Sequence, residues 1–418
     1  MAILKKRCKA GGGRLRPSLF GLSVSVLVLA ACGSTSSATS SNKTATTTSN
    51  SSSSSTSASG NGVATASAQL SKYLATQTPS PPGPAFDASK AAGKLVWLVS
   101  QTLSTGSAGE QAKLITADLQ HEHVNVLGCS AHGVSTNIGS CILQGLSHHP
   151  AAIIVNGGDP ASYTSATQSA NAAHVPVISE LDVPVPYAPY SSQIQSHLKG
   201  ISSDAAPPDP ISGTLAADFV VKDSNGKANV LFITSPGILG GTYEELNFAA
   251  RMKQLCPKCN LYVKGVTIPN WATDIGPTVS SELRLHPSIN YVVPVFDPML
   301  AWAGPAIVQA GKQGTVKVVS VNGDLQEMQQ LAQNQVIVCD IGQDYPEMAF
   351  QAVDETLRYL SGVPPTDLVK AAQAGVRVFT ASNIHSVSLT PSGFANGSWY
   401  TGSSTALANM YYKLWSGS

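Results

Sequence analysis

The sequence predicts an α/β protein whose folded part consists of two doubly wound lobes, each built on a parallel sheet covered by helices. Short apolar runs, typical of strands buried on both faces, alternate with segments of helical spacing from residue 95 to residue 380. The alternation breaks once, at residues 182–210, which are rich in Pro, Ser and Tyr, and then restarts. Strands separated by helices favour right-handed crossovers and parallel pairing.

The first half contains four predicted strands with a helix after each of the first three. The strands are residues 95–100, 125–127, 151–156 and 175–179, and the helices are residues 107–121, 138–148 and 161–173.

The second half begins with a predicted helix and repeats the pattern. The helices are residues 211–222, 243–255, 271–285 and 299–311, and the strands are residues 228–234, 261–266, 291–295 and 316–321. A strand at 335–340, a long helix at 345–360 and a strand at 376–380 follow. A folded part of about 325 residues is usually too long for a single core, which also favours two domains.

The N-terminal region has the pattern of an export signal. Residues 1–18 carry six basic side chains and no acid, and residues 19–31 form a mostly apolar run that is too short to span a bilayer comfortably. Removing residues 1–31 moves the formal net charge from +1 to −5. A mildly acidic chain without a basic run excludes nucleic acid as an expected partner.

The tetrapeptide Leu29-Ala30-Ala31-Cys32 resembles the lipobox of bacterial lipoproteins. The resemblance implies that residues 1–31 are a signal peptide, that Cys32 is the first mature residue and carries the lipid, and that the protein is anchored on the extracytoplasmic face of the cell membrane. The alternative is an ordinary cleaved signal, or a signal anchor, with a chance cysteine. Stable anchoring by lipid requires two or more acyl chains.

A tether is predicted after the lipidated cysteine, over residues 32–92. Residues 33–62 contain 20 Ser or Thr and a single charged residue, Lys43, so they bury too little apolar area to offset chain entropy. Residues 63–76 have the pattern of a weak helix, and the Pro-rich residues 79–84 are typical of a stiff, extended segment.

Four of the remaining cysteines form two close pairs, which in an exported protein indicates disulfides between Cys129 and Cys141 and between Cys256 and Cys259. The second pair also fits a redox motif or half of a zinc site. No second Cys pair with zinc-ribbon spacing exists, and the pair follows a predicted helix rather than opening one, so a structural disulfide is favoured. Cys339 is left unpaired and is predicted to be a buried thiol.

Several segments between residues 93 and 382 together resemble the type I periplasmic substrate-binding proteins of the ribose and galactose kind. The segments that carry the resemblance are Gly93-Lys-Leu-Val-Trp-Leu-Val-Ser100, Gln144-Gly-Leu-Ser-His-His-Pro-Ala-Ala-Ile-Ile-Val-Asn156, Asn171-Ala-Ala-His-Val-Pro-Val-Ile178, Ile211-Ser-Gly-Thr-Leu-Ala-Ala217 and Gln343-Asp-Tyr-Pro-Glu-Met-Ala349.

The resemblance implies two lobes joined by a three-strand hinge, with a small polar ligand, sugar or sugar-like, held between them. The lobes would be residues 93–202 with 343–372 and residues 203–342 with 373–418. The protein would act as a monomer that delivers its ligand to the permease of an ABC transporter. The alternative is an anchored sensor that presents its closed form to a membrane receptor or kinase.

In the first lobe, the loops after the strands supply the candidate ligand contacts. These are Gln101 and Thr102 after the first strand, and Glu180 or Asp182 after the fourth, where the resemblance implies an Asp that binds hydroxyls. A carboxylate accepts two hydroxyls at once and therefore suits a polyol. The loop after the first strand lacks the Asn and the paired Phe residues of many sugar-binding members, which weakens the expectation of ring stacking from this lobe.

In the second lobe, six residues follow strands or lie at the hinge. They are Tyr243, Glu244, Phe296, Asp297, Asn322 and Gln343. The resemblance implies an Arg near Glu244, so the acid found there favours a cationic or hydroxyl-rich ligand. Gln343 falls on the hinge Gln of the family, whereas Trp302 is expected in the core rather than against the ligand.

The sequence predicts no enzyme, metal site or cofactor. The two His pairs, His121 with His123 and His148 with His149, lack the i, i+4 spacing of a zinc helix. No nucleophile elbow or phosphate-binding loop occurs in the sequence, so hydrolysis for transport would belong to a separate subunit.

Overall fold

The computed structural model describes residues 56–103, 106–181, 183–184, 186–366 and 375–417, and the structural statements below refer to these residues. The predicted signal peptide, Cys32, the first part of the predicted tether and Asp182 lie outside them. Within the described ranges, no helix has both the length and the apolar character needed to cross a membrane.

Eleven strands are described. They are β1 (Leu95–Ser100), β2 (Asn125–Ser130), β3 (Ala152–Asn156), β4 (Val177–Glu180), β5 (Ser203–Ala205), β6 (Asn229–Thr234), β7 (Asn260–Gly265), β8 (Tyr291–Pro294), β9 (Lys317–Asn322), β10 (Ile337–Gln343) and β11 (Val376–Thr380). They form two sheets, in the orders β2-β1-β3-β4-β5 and β11-β10-β9-β8-β6-β7. All neighbours pair in parallel except β10 and β11, which are antiparallel. The predicted fold class is confirmed.

Fourteen α-helices are described around these sheets. They are α1 (Thr56–Leu70), α2 (Gly106–His121), α3 (Ser135–Leu146), α4 (Thr164–Ala172), α5 (Ser191–His197), α6 (Asp209–Asp223), α7 (Leu239–Leu255), α8 (Trp271–Leu285), α9 (Leu300–Gln309), α10 (Leu325–Ala332), α11 (Tyr345–Ser361), α12 (Pro391–Ala395), α13 (Ser398–Thr401) and α14 (Ala406–Trp415).

The central strands are covered on both faces, which explains their continuous apolar runs. Val96, Trp97, Leu98 and Val99 of β1 are all buried, and alternate residues enter two different clusters on opposite faces of the first sheet. The edge strand β2 instead leaves Leu127 48% exposed. The apolar run therefore indicates a strand in the middle of a lobe.

Between β1 and β11, three connections of the described chain cross between the lobes. The chain passes from β5 to α6, from β10 to α11, and from α11 back to β11. α11 packs on the first sheet and on α2, although β10 and β11 belong to the second sheet. The cavity between the lobes lies beside these crossings.

The second part of the predicted tether is folded, which corrects the boundary at residue 92. α1 packs on α6 and α7, and Gly62, Ala66 and Leu70 form its buried face at intervals of four residues. Further along, Phe86, Ala88 and Ala91 are buried against the first lobe. The high Ser and Thr content concealed this spacing, and Thr65 and Ser67 lie on other faces of α1 than the buried one.

The C-terminal residues divide between the lobes, whereas residues 373–418 were predicted to belong to the second lobe alone. Trp399 and Tyr400 pack in the core of the second lobe, but Tyr411 and Trp415 of α14 pack with α11 in the first. Trp415 Nε1 donates to Asp354 Oδ1 over 2.9 Å, and this buried contact holds α14 on the first lobe.

The segment without a clear period contains two elements that the sequence did not predict. These are α5 and β5, the latter formed by Ser-Asp-Ala, which offers no apolar run. Disulfide bonds join Cys129 to Cys141 and Cys256 to Cys259, and Cys339 is a buried thiol. The first bond links β2 to α3, and the second closes the turn between α7 and β7.

Candidate functional site

A cavity of about 360 Å³ lies between the lobes, where the carboxyl ends of strands from both sheets meet. The first lobe contributes Gln101, Thr102, Gly106, Ser107, Ala108 and Leu181. The second lobe contributes Asp209, Ile238, Gly240, Ile268, Pro269, Trp271, Ala272, Phe296, Pro298, Trp302 and Asn322. Gln343 and Tyr345 line it at the crossing from β10 to α11.

The polar centre of the cavity is a hydrogen-bonded group around Gln343. Its Nε2 donates to Asp209 Oδ1 over 3.0 Å and to Ser212 Oγ over 3.2 Å. Burial raises the pKa of Asp209 to about 7, partly offset by the bond from Gln343. A Cβ on Gly240 would stand 2.1 Å from Asp209 Oδ2. The absence of a side chain at residue 240 therefore makes space for the Asp209 carboxyl.

One wall of the cavity is aromatic and belongs entirely to the second lobe. The ring centroid of Trp271 lies 6.5 Å from that of Phe296 and 6.5 Å from that of Trp302. Trp271 is held in place because its Nε1 donates to Val266 O over 3.1 Å and to Ser235 Oγ over 3.2 Å. Trp302 was predicted to be core, but it lines the cavity. This wall offers apolar ring faces to a ligand.

The first lobe presents the amide of Gln101. Its backbone N–H donates to Asn156 O over 2.8 Å, and its Nε2 is buried without a hydrogen-bond partner among the described residues. A buried amide N–H normally finds an acceptor, so this donor can serve an oxygen atom of a ligand. Thr102 lines the cavity beside it.

Asn322 connects the two lobes across the cavity. Its Nδ2 donates to Ser107 Oγ over 3.3 Å, which joins the end of β9 to the start of α2. Its φ of 132° is unusual for a residue other than glycine, and Gly323 follows with a φ of 81°. The turn after β9 therefore has a specific backbone shape that brings the Asn322 amide to the cavity.

Four predicted contacts do not line the cavity, which corrects the expectation that they touch the ligand directly. They are Glu180, Tyr243, Glu244 and Asp297. Asp297 instead accepts hydrogen bonds from Ser320 Oγ and, over 2.7 Å, from Asp324 N. Asp182 lies outside the described residues, so its predicted contact stays a prediction.

Glu180, Tyr243 and Glu244 are fully buried and contact other residues of the protein. Glu180 accepts a hydrogen bond from Asn156 Nδ2, and burial raises its pKa to about 8. Tyr243 packs with the rings of Tyr187 and Tyr190. Burial, and then the nearby Asp209 and Asp340 carboxylates, raise the pKa of Glu244 well above its usual range.

Asp209 and Trp271 line the cavity but were not predicted. Asp209 opens α6 inside the segment that shows no clear period, where no strand end marked it. Trp271 follows β7, and the rule that sites lie after parallel strands would have found it. The expectations drawn from the resemblance did not extend to this loop.

The fold and the cleft agree with a family model for the periplasmic binding protein domain, which matches residues 88–363. The chain belongs to this family. Its members are binding proteins rather than enzymes. No curated protein sequence matches this binding protein.

Solved structures of low sequence identity share the fold. A 5-methylthioribose transporter solute binding protein from Thermotoga lettingae is 19% identical, with 76% of this chain and 98% of that chain covered at a TM-score of 0.62. An ABC transporter solute binding protein from Agrobacterium vitis with bound allitol is 18% identical, covering 71% and 98% at 0.60. A carbohydrate transporter from Acidothermus cellulolyticus in complex with myo-inositol is 17% identical, covering 73% and 99% at 0.60.

Proposed function

We propose that this binding protein captures a neutral sugar or polyol between its lobes and delivers it to an ABC importer. The observation that carries the proposal is the pairing, in one cavity, of the hydrogen-bonding amides of Gln101, Asn322 and Gln343 with the aromatic wall of the second lobe. A sugar has hydroxyl groups that can hydrogen-bond to these amides and apolar C–H faces that can pack on the aromatic rings.

The charge of the cavity wall favours a neutral ligand. No Lys, Arg or His occurs among the described residues that line it, so an anionic ligand would have no cation to pair with. Asp209 is the acid on the wall, and its raised pKa lets it act as a hydroxyl partner in either protonation state.

A thermal-shift screen of neutral sugars and polyols tests the proposal. We expect at least one to raise the Tm of the wild-type protein saturably, because a ligand that binds the native state stabilises it by about 2.7 kcal/mol at 100 times its Kd. Gln343→Ala should lose most of that rise, while Gln333→Ala, an exposed glutamine on the second lobe, should keep it. A screen without any stabiliser would contradict the proposal, and an unchanged rise in Gln343→Ala would remove Gln343 from the site.

We also propose that the protein is exported and anchored through a lipid on Cys32. The support is the sequence pattern around Leu29-Ala30-Ala31-Cys32. Residues 33–55 would then separate the anchor from α1. Membrane fractionation tests the idea: Cys32→Ala should move the protein to the soluble fraction, and retention of the variant with the membranes would count against lipidation.

A further inference from the structure

A cluster of carboxyl groups lies on the second lobe, outside the wall of the ligand cavity. Asp297 follows β8, Asp324 precedes α10 and Glu327 lies in the first turn of α10. One carboxylate oxygen from each lies within 4.8 Å of the others. Two loops that are far apart in sequence thus bring three acids to one point.

A fourth carboxyl, that of Asp340, lies on the face of the second sheet where Ser320 contacts Asp297. Asp340 on β10 pairs in register with Ser320 on β9, so the two side chains project from the same face of the sheet. On that face the Ser320 hydroxyl donates to Asp297. Asp340 is fully buried, and neither of its carboxylate oxygens has a hydrogen-bond partner among the described residues.

The cluster lacks a basic side chain to balance its charge. None of the ion pairs among the described residues includes Asp297, Asp324, Glu327 or Asp340. Buried carboxylates without a partner are costly, and proteins usually pair them with a cation or bind a metal ion there. A bound cation would supply the positive charge that the described residues do not place there.

We propose that Asp297, Asp324 and Glu327, with the buried Asp340 carboxyl beside them, bind a hard divalent cation, Ca²⁺ in preference to Mg²⁺. Both ions take carboxylate oxygens as ligands. Mg²⁺ gives up its water reluctantly and is usually bound through one or two carboxylates, whereas Ca²⁺ accepts more of them in a flexible geometry. The three carboxylates that the fold brings together here therefore suit Ca²⁺ better than Mg²⁺. Water molecules would complete its coordination shell.

The cation would fix the turn that carries Asn322 to the ligand cavity. Asp297 Oδ2 accepts the backbone N–H of Asp324 over 2.7 Å, and Asp324 lies two residues after Asn322. An ion bound to both carboxylates would hold the turn after β9 in the shape that the Asn322 amide requires. Sugar should therefore bind more tightly in the presence of Ca²⁺. This coupling between cation and sugar binding is the part of the inference that rests on the proposed function.

Calorimetric titration of the full, chelator-stripped chain with CaCl₂, without sugar, tests the cation site. We expect one Ca²⁺ per chain, a rise in Tm on binding, and weaker binding of Mg²⁺. The double variant Asp324→Asn with Glu327→Gln should bind Ca²⁺ at least tenfold more weakly. Asp274→Asn, which neutralises an exposed acid in the first turn of α8, should bind it as the wild-type protein does.

A second measurement keeps the test decisive if the double variant folds poorly. Tb³⁺ replaces Ca²⁺ in oxygen sites, and the hydroxyl of Tyr400 lies beside Gly323, where a Cβ would be 2.7 Å from it. Terbium emission excited through tyrosine in the wild-type protein, and quenched by Ca²⁺, supports the site. Absence of both calcium heat and terbium emission, or equal calcium binding by the double variant, overturns it. Sugar binding measured in the presence of a chelator tests the proposed function separately, because it does not depend on whether the cation site exists.

Discussion

At the scale of single residues, Glu180 shows how a polar side chain can support the cleft without touching its ligand. It ends β4 in full burial and accepts a hydrogen bond from Asn156. Asn156 also donates to Gln111 Oε1 over 3.1 Å and accepts from Ser100 Oγ over 2.9 Å. Because Asn156 O also holds the backbone of Gln101, this network positions the first-lobe side of the cavity.

Replacing Glu180 by Gln should change how stability depends on pH. The pKa of Glu180 is raised by burial from 4.5 to about 8, so its favourable contribution is complete below pH 4.5 and is lost as pH rises to about 8. The free energy of unfolding of Glu180→Gln relative to wild type should rise over that window by up to about 1.4 kcal/mol per pH unit. Urea unfolding at pH 5, 6, 7 and 8 measures it, with the exposed Glu110→Gln as control. Parallel curves for wild type and Glu180→Gln would refute the assignment.

At the scale of elements, α1 is the clearest departure from what the composition predicts. Gly62, Ala66 and Leu70 repeat every four residues and form one buried face. A Cβ on Gly62 would stand 2.2 Å from the carbonyl oxygen of Leu255, so α1 approaches the end of α7 closely. A helix packed this tightly belongs to the second lobe rather than to a tether.

Leu70→Ala should therefore destabilise the protein. Leu70 is 2% exposed in the second-lobe core, and truncating a buried leucine costs about 2–5 kcal/mol. Thr65→Ala, on the exposed face of α1, should change the free energy of unfolding by less than about 0.5 kcal/mol. Denaturant unfolding of the two variants compares them, and equal stability would mean that α1 is not packed as described.

The sequence was most informative where burial dictates residue type. The apolar runs of β1, β3 and β6 are covered on both faces and were predicted, whereas β5 carries Ser203 and Asp204 and was not. An edge strand such as β5 contributes little to the core and therefore does not need a run of apolar residues. A search for apolar runs misses such a strand.

The site was predicted less well because position along an element does not fix the face to which a side chain points. Gln101, Phe296 and Gln343 follow or end strands and line the cavity. Glu244 lies in α7 one turn after Gly240, which also lines the cavity, yet its side chain is buried inside the lobe. Successive helical residues differ by about 100° in direction, so a small error in register moves a side chain from cleft to core.

At the scale of the whole molecule, segments that precede β1 and follow β11 pack against α11, beside the connections between the two lobes. Within α11, Arg358 Nε and Asp354 Oδ2 form a buried ion pair over 2.8 Å. Each of these two residues also contacts a segment outside α11. Trp415 Nε1 donates to Asp354, and the guanidinium of Arg358 lies 4.4 Å from the ring centroid of Phe86. A ligand that contacts both lobes would favour the closed arrangement in proportion to its differential affinity for it.

Calorimetric titration of the best neutral sugar or polyol into single-lobe variants tests the two-lobe capture most directly. We predict one ligand per chain in the wild-type protein, and binding at least tenfold weaker, about 1.4 kcal/mol, both in Gln101→Ala of the first lobe and in Trp302→Ala of the second. Gln333→Ala, an exposed site away from the cavity wall, should bind as the wild-type protein does. Unchanged affinity in either the Gln101 or the Trp302 variant would contradict capture between the two lobes.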